Sequence, residues 1–334
     1  MANIYTIGGL YLSKEAKFMK KIVPVLILGL VFLSFGAYGA PHWEQVWGSV
    51  GTVVVNHDQV AETTKLFATK QDTGDIYRYW ENQDRWTKIG GPAKTFVATG
   101  GRLYKLSEDE SGTWRYDGEE VWTKIGGLAT EIYGGGGKLY AVKPDENIYE
   151  YTGTPGMWTK IGGPGRTFAA AGADGVPLPG LGDERGRAKL YGISPDGAGV
   201  WEYSGVPEQW TQIGGPAAKI YAGGPNLYAT NPDTGDIYQY QTQLLEPERD
   251  WIKIGGSARM FAVDVVGSGV TPLGETDLYG IFPDGTGVWK YDGTPDQWTE
   301  LAPTEAVLAK IYVGGGEVYV VTQAGRTLWR YFES

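Results

Sequence analysis

The chain contains no cysteine, which excludes disulfides, thiolate metal centres and a cysteine nucleophile. Its two histidines, His42 and His57, leave little material for a histidine-rich metal site or a Ser-His-Asp triad. Positive charge is scarce as well: 29 Lys and Arg stand against 39 Asp and Glu, for a formal charge of -10. With no run of Lys and Arg to neutralise phosphates, a nucleic-acid partner is not expected. The longest apolar run, Ile22 to Phe35, has about 14 residues, short of the roughly 20 that a helix needs to cross a bilayer. No membrane span is expected in the mature chain. What the chain has in quantity is Gly, at 52, with 13 Trp and 22 Tyr, a bias toward tight turns and aromatic strands and hence toward an all-β fold.

From Met19 the sequence runs MKK, then IVPVLILGLVFLSF, then GAYGA. A basic segment, an apolar segment and a small-residue segment in that order form a secretory signal of bacterial type. Ala37 and Gly39 fit the small-x-small rule, so the mature chain is expected to begin near Ala40. Residues 1–18 read as an upstream extension. The implied location is secreted or periplasmic, and residues 40–334 are expected to form one domain.

The domain is repetitive. Trp86 opens WTKIGG, which recurs at Trp122 and Trp158, as WTQIGG at Trp210 and as WIKIGG at Trp251; WEQVWG at Trp43 and WTELAP at Trp298 are degenerate copies. Intervals of 43, 36, 36, 52, 41 and 47 residues describe a unit of 36 with insertions. Periods of this length belong to stacked repeat architectures. In the unit from Leu128 to Gly163 the segments TEIYGG, KLYAV, NIYEY and MWTKI are short β-forming runs separated by turn residues, so each unit holds four strands. Most strands are apolar on both faces, and such small sheets must stack on neighbours.

The ends of the chain are out of phase with the unit. It opens on a lone fourth strand, Trp43 to Trp47, and closes on three strands, Lys310–Gly314, Glu317–Thr322 and Thr327–Tyr331. Joined, these complete a seventh sheet and remove the exposed edges of an open array. The expected fold is an all-β, seven-bladed β-propeller of four-stranded blades, closed by the N-terminal strand. A β-solenoid is the alternative, but it has no need of complementary ends.

Units such as LYATNPDTGDIYQY followed by WIKIGG resemble tectonin-type repeats, the blades of the tectonin and tachylectin propeller lectins. The resemblance spans nearly the whole mature chain. It implies recognition of sugars, often N-acetylated or methylated ones on microbial surfaces, at several equivalent sites per ring.

A second period runs in pairs. Numbering the blades from the one ending at Trp86, blades 2, 4 and 6 carry Phe in the first strand (Phe96, Phe168, Phe261) and Trp in the third (Trp114, Trp201, Trp289). Blades 3 and 5 carry Tyr in both (Tyr133 and Tyr149, Tyr221 and Tyr238). Long insertions at Gly172 to Arg187 and Val265 to Thr276 fall in the same loop of blades 4 and 6, on one face of the ring, where a rigid scaffold commonly presents function.

The seven fourth-strand Trp recur in every blade and read as packing. The third-strand Trp114, Trp201, Trp289 and Trp329 vary from blade to blade and are the ligand-binding candidates. Beside them stand Asp196 and Asp284, whose turns also suit simple turn-capping. Asp72 with Asp75, and Asp233 with Asp236, lack the ligand spacing of a calcium loop, and no metal or cofactor is expected. GGGG at Gly134 to Gly137 lacks the Lys-Ser/Thr of a phosphate loop. No acid-base constellation occurs once, as catalysis would need; the acidic run Glu108, Asp109 and Glu110 reads as a solvated turn. The sequence therefore points to a non-catalytic, multivalent binder of glycans or glycoconjugates, with a structural or protein-protein interaction propeller as the alternative.

Overall fold

A computed structural model describes residues 40–58, 63–172, 188–241, 250–266 and 275–333. The signal segment and most of the two long insertions lie outside these residues. Among the described residues, 28 strands form seven four-stranded antiparallel sheets. In blade 3 the strands are Glu131–Gly135, Lys138–Val142, Ile148–Tyr151 and Trp158–Gly162, the four segments read from the sequence. Blades 1 to 6 each follow simple up-and-down order, since most connections are turns of two to six residues, which favour adjacent antiparallel pairing.

The seventh sheet is built from both chain ends. His42–Trp47 pairs with Leu328–Phe332, which continues to Glu317–Thr322 and Leu308–Gly314. Trp43 stands opposite Tyr331, and Gln45 opposite Trp329. The first strands of successive blades touch one another around a complete circle, and blade 7 returns to blade 1. The seven-bladed propeller and its closure by the N-terminal strand are thereby established.

No sheet has a core of its own. The apolar side chains gather into seven clusters, one at each junction between blades. At the 3/4 junction Tyr140, at 1% exposure, packs with Phe168, Leu190 and Tyr203, and burying one such ring contributes about 2 kcal/mol. This placement explains why the strands are apolar on both faces.

The repeated motif is the joint itself. The indole N–H of each fourth-strand Trp donates to a backbone carbonyl of the preceding blade: Trp122 to Ile89 at 2.7 Å, Trp158 to Ile125 at 3.0 Å, Trp210 to Ile161 at 2.9 Å, Trp251 to Ile213 at 2.7 Å and Trp298 to Ile254 at 2.9 Å. The glycine after each Ile leaves room for the incoming ring. A Cβ on Gly162 would stand 2.6 Å from Trp210 Nε1, well inside contact distance. Trp and Ile-Gly are thus two halves of one clasp, contributed by different copies of the same repeat.

The alternation by pairs needs one correction. Phe168 stands opposite Gly192, as Ile132 stands opposite Ala141, whereas Tyr133 stands opposite Tyr140. Phe and Tyr of the first strand are therefore neighbouring positions on opposite faces. They meet across the junctions, Tyr133 edge-on to Phe168 and Tyr221 edge-on to Phe261, both at 5.7 Å between ring centres. A Cβ on Gly192 would lie 3.0 Å from Phe168, so the small residue on the second strand accommodates the larger ring on the first. Volume is exchanged within the blade, as close packing requires.

Candidate functional site

Besides a concavity of about 300 Å³ at the 7/1 junction, bordered by Tyr79, Glu81, Glu317 and Arg330, the described residues form two concave features that recur or converge. The first is a groove between adjacent blades at the end where fourth strands lead into the next blade. At the 5/6 junction it encloses about 300 Å³ between Gly256, Phe261, Phe282, Trp289 and Trp298. At the 4/5 junction the equivalent groove holds about 250 Å³, with Tyr238 in the place of Trp289 and Trp251 in the place of Trp298. The second glycine of the motif lines both grooves as Gly215 and Gly256, and each has nothing within 4 Å of a Cβ position. The sequence builds the groove locally: one glycine admits the clasp Trp, the next stays open, and the third-strand ring forms the wall.

The third-strand candidates divide by position. Trp289 lines the 5/6 groove and packs on Phe282 at 4.9 Å between centres. Its indole N–H is buried and has no acceptor. Trp201 sits beside Gly199 and Gln212, close to both at the Cβ position of that glycine. Trp114 has the Lys124 ammonium 5.8 Å from its ring centre. Trp329 packs into the apolar cluster at the 6/7 junction, and its buried N–H also lacks an acceptor. The structure does not gather these four rings into one site; each belongs to a different blade, at the same strand position.

Asp196 and Asp284 are committed to their own turns. Asp196 accepts from the Ser194 hydroxyl at 2.6 Å and the Ala198 amide at 3.0 Å. Asp284 accepts from the Thr286 amide at 2.9 Å and the Thr286 hydroxyl at 2.8 Å. These bonds hold both carboxyls below the usual range, the ordinary result of donors aimed at a carboxylate. Pro283 lines the 5/6 groove, but Asp284 is not among its lining residues. Two further turn carboxylates are likewise engaged: Asp75 pairs with Lys88 and Asp236 with Lys253, both at 2.7 Å.

The second concave feature lies on the ring axis. First strands of all seven blades line a pocket of about 200 Å³ with Asn56, His57 and Asp264 among its walls. Asp264 is 1% exposed. Its two carboxylate oxygens accept from the amides of Gly315 at 2.8 Å and Gly316 at 2.7 Å, on the first turn of blade 7. Burial outweighs these bonds and pushes its pKa up to about 6. Sequence reasoning passed over this residue. The available signal was a lone acid inside FAVDVV, where the same register position holds Gly135, Ala171, Gly223 and Gly314 in other blades.

No protein-family model matches the chain, and no curated protein matches it. Similar solved structures share the propeller at low identity. Virginiamycin B lyase from Staphylococcus aureus is 12% identical, covers 88% of this chain and 100% of its own, and superposes with a TM-score of 0.60. BBS1N in complex with ARL6DN is 8% identical, with 89% and 98% coverage and a TM-score of 0.59. YCF48 from Cyanidioschyzon merolae is 13% identical, with 86% and 98% coverage and a TM-score of 0.53. These likenesses show the fold alone, which hosts unrelated functions.

Proposed function

We propose that the chain is an exported, non-catalytic propeller of tectonin type that binds carbohydrate at several equivalent grooves. The observation that carries this reading is the recurrence of one aromatic-walled, glycine-lined groove at the 4/5 and 5/6 junctions. An aromatic wall suits the C–H face of a sugar ring, and open backbone at the lining glycine suits its hydroxyls. Weak sites held on one rigid ring engage a dense glycan surface together, which raises avidity by about 100-fold without any new contact. Absence of catalysis is supported by the engagement of the prominent carboxylates: Asp196 and Asp284 serve their turns, and Asp264 serves the joint between blades 6 and 7. The segment from Met19 to Gly39 supports export, and a secreted chain whose mass begins near Ala40 is the result expected.

A glycan array probed with the mature protein tests the binding reading. Retention of a defined set of sugars, weakened by Trp289→Ala, is expected. A second reading, a protein-interaction propeller, draws on Val121 and Met157, which precede the clasp Trp in adjacent blades and are 55% and 58% exposed. BBS1N and YCF48 have been solved with a bound protein or peptide, so the fold admits such use. A blank array together with specific capture of a protein partner would favour that reading over the first.

A further inference from the structure

In every blade one residue of the second strand and one of the third sit diagonally adjacent on the face turned toward the following blade. Five blades fill these positions with a complementary pair. Lys138 and Glu150 meet at 2.5 Å in blade 3, Lys189 and Glu202 at 2.6 Å in blade 4, Lys290 and Asp277 at 2.7 Å in blade 6 and Arg330 and Glu317 at 3.0 Å in blade 7. Blade 5 uses two amides, Asn226 and Gln239, at 3.3 Å. Blades 1 and 2 break the rule: Arg78 stands opposite Phe67 and Arg115 opposite Tyr104, so their diagonal partners are Lys65 and Arg102. Each blade there carries two cations and no acid at the paired positions.

One acid stands near the blade 2 pair, Asp117, whose carboxyl is held down by Arg115 and, more weakly, by Arg102. Arg115 reaches Asp117 through Nε at 2.7 Å. Arg78 lies flat over Trp80, 3.7 Å from the ring centre, and its buried Nε has no acceptor. The side chains of Lys65 and Arg102 make no ion pair or hydrogen bond among the described residues. Facing Arg102 and Arg115 across the 2/3 junction is Tyr151, 6% exposed, whose hydroxyl is buried and unpartnered. Like charges on one sheet face oppose each other, so folding alone gives no reason to place four cations on two adjacent blades of an acidic chain.

We infer that blades 1 and 2 form an anion-binding sector, and that the glycan this propeller takes is acidic, bearing carboxylate or sulfate groups. Guanidiniums offer the paired N–H groups that planar or tetrahedral oxyanions accept; Lys65 and Arg78 present their charge toward the 1/2 junction and Arg102 and Arg115 toward the 2/3 junction, as two neighbouring sites of one sector. The inference rests on the carbohydrate reading above and adds the charge of the ligand.

The test measures equilibrium binding of the mature protein to four probes: a polygalacturonate oligosaccharide, a heparin-derived oligosaccharide, a chitin oligosaccharide and duplex DNA. Wild type, Arg102→Gln, the double variant Arg78→Gln/Arg102→Gln and Lys189→Gln are compared, with thermal unfolding as the check on folding. The exposed Arg102 side chain makes the single variant safe to fold. The expected result is binding of one or both acidic sugars, weakened about tenfold by the double variant, unchanged in Lys189→Gln, and falling with added salt. Carboxylated and sulfated probes tell the two anions apart. Acidic sugars bound equally by wild type and the double variant overturn the inference. So does binding of chitin alone, which leaves the carbohydrate reading intact. No sugar bound at all defeats both, and DNA retained as tightly as heparin overturns the assignment to sugar.

Discussion

The five junctions from blade 1 to blade 6 and the two that close the ring solve the same problem with different means. In the five, the clasp is uniform, Trp N–H to Ile carbonyl over a glycine. At closure both motif copies are degenerate, and the clasp changes with them. Because WTELAP lacks the Ile-Gly-Gly ending, Trp43 donates one residue later, to the Ala302 carbonyl at 2.6 Å. In WEQVWG, Trp47 occupies the place of the accommodating glycine. Trp86 then stacks on it, 4.4 Å between centres, and its bond to the Val46 carbonyl stretches to 3.4 Å.

Residues outside the repeat reinforce the closing arc. Arg326 donates to the carbonyls of Val50 and Gly51, both at 2.8 Å. Arg259 reaches the Leu308 carbonyl at 2.7 Å, and Asp264 holds the turn at Gly315 and Gly316. Arg259 has a counterpart at an intact junction, where Lys94 donates to the Thr130 carbonyl at 2.9 Å. Polar fixings thus supplement the clasp at both kinds of junction, and at the closing arc the Asp264 carboxyl adds pH dependence.

The sharpest break of this comparison is at a regular clasp. Gly162→Val is expected to cost about 4 kcal/mol, from overpacking against Trp210 and loss of its hydrogen bond. Gly163→Ala, one residue away with open space around it, is expected to change stability by less than about 0.5 kcal/mol. Urea unfolding of the pair checks both; similar losses in the two would remove the clasp as the reason for the motif. At the closing arc the smaller effect is a pH slope. The Asp264 carboxyl is raised in the fold to about 6 from an unfolded value near 4. Folding therefore favours its protonated form, and the stabilisation is complete below about pH 4 and lost as the pH rises through about 6. Relative to Asp264→Asn, wild type should gain about 2 kcal/mol between pH 6 and pH 4. A flat difference across that range would show that burial does not govern this carboxyl.

Much of the architecture was legible because it is written in short stretches. Alternating apolar residues and turn glycines mark each strand, and the WTKIGG spacing counts the blades. The roles of individual aromatic residues were less legible. Phe168 and Tyr133 look equivalent in an alignment of units, yet one residue of register turns them to opposite junctions. Trp289 and Trp329 occupy equivalent third-strand positions, but one walls a groove and the other joins an apolar cluster. Asp196 and Asp284 gave a turn-capping signal in sequence, and that is the hydrogen bonding the structure shows.

The sequence by itself determined the number of blades, the four strands in each and the completion of the last sheet by the two chain ends. These follow from hydrogen bonding between neighbouring segments and from the two-residue period of a strand, both of which are local. Only the tertiary structure decided that Trp and Ile-Gly of successive copies are one joint, that Asp264 secures blade 7, and that Lys65 with Arg78 and Arg102 with Arg115 fill positions where other blades pair a cation with an acid. The Trp–Ile and Asp264–Gly316 partners lie from 33 to 52 residues apart, and what brings them together is the register of each sheet and the circular order of blades, which no single stretch of chain contains.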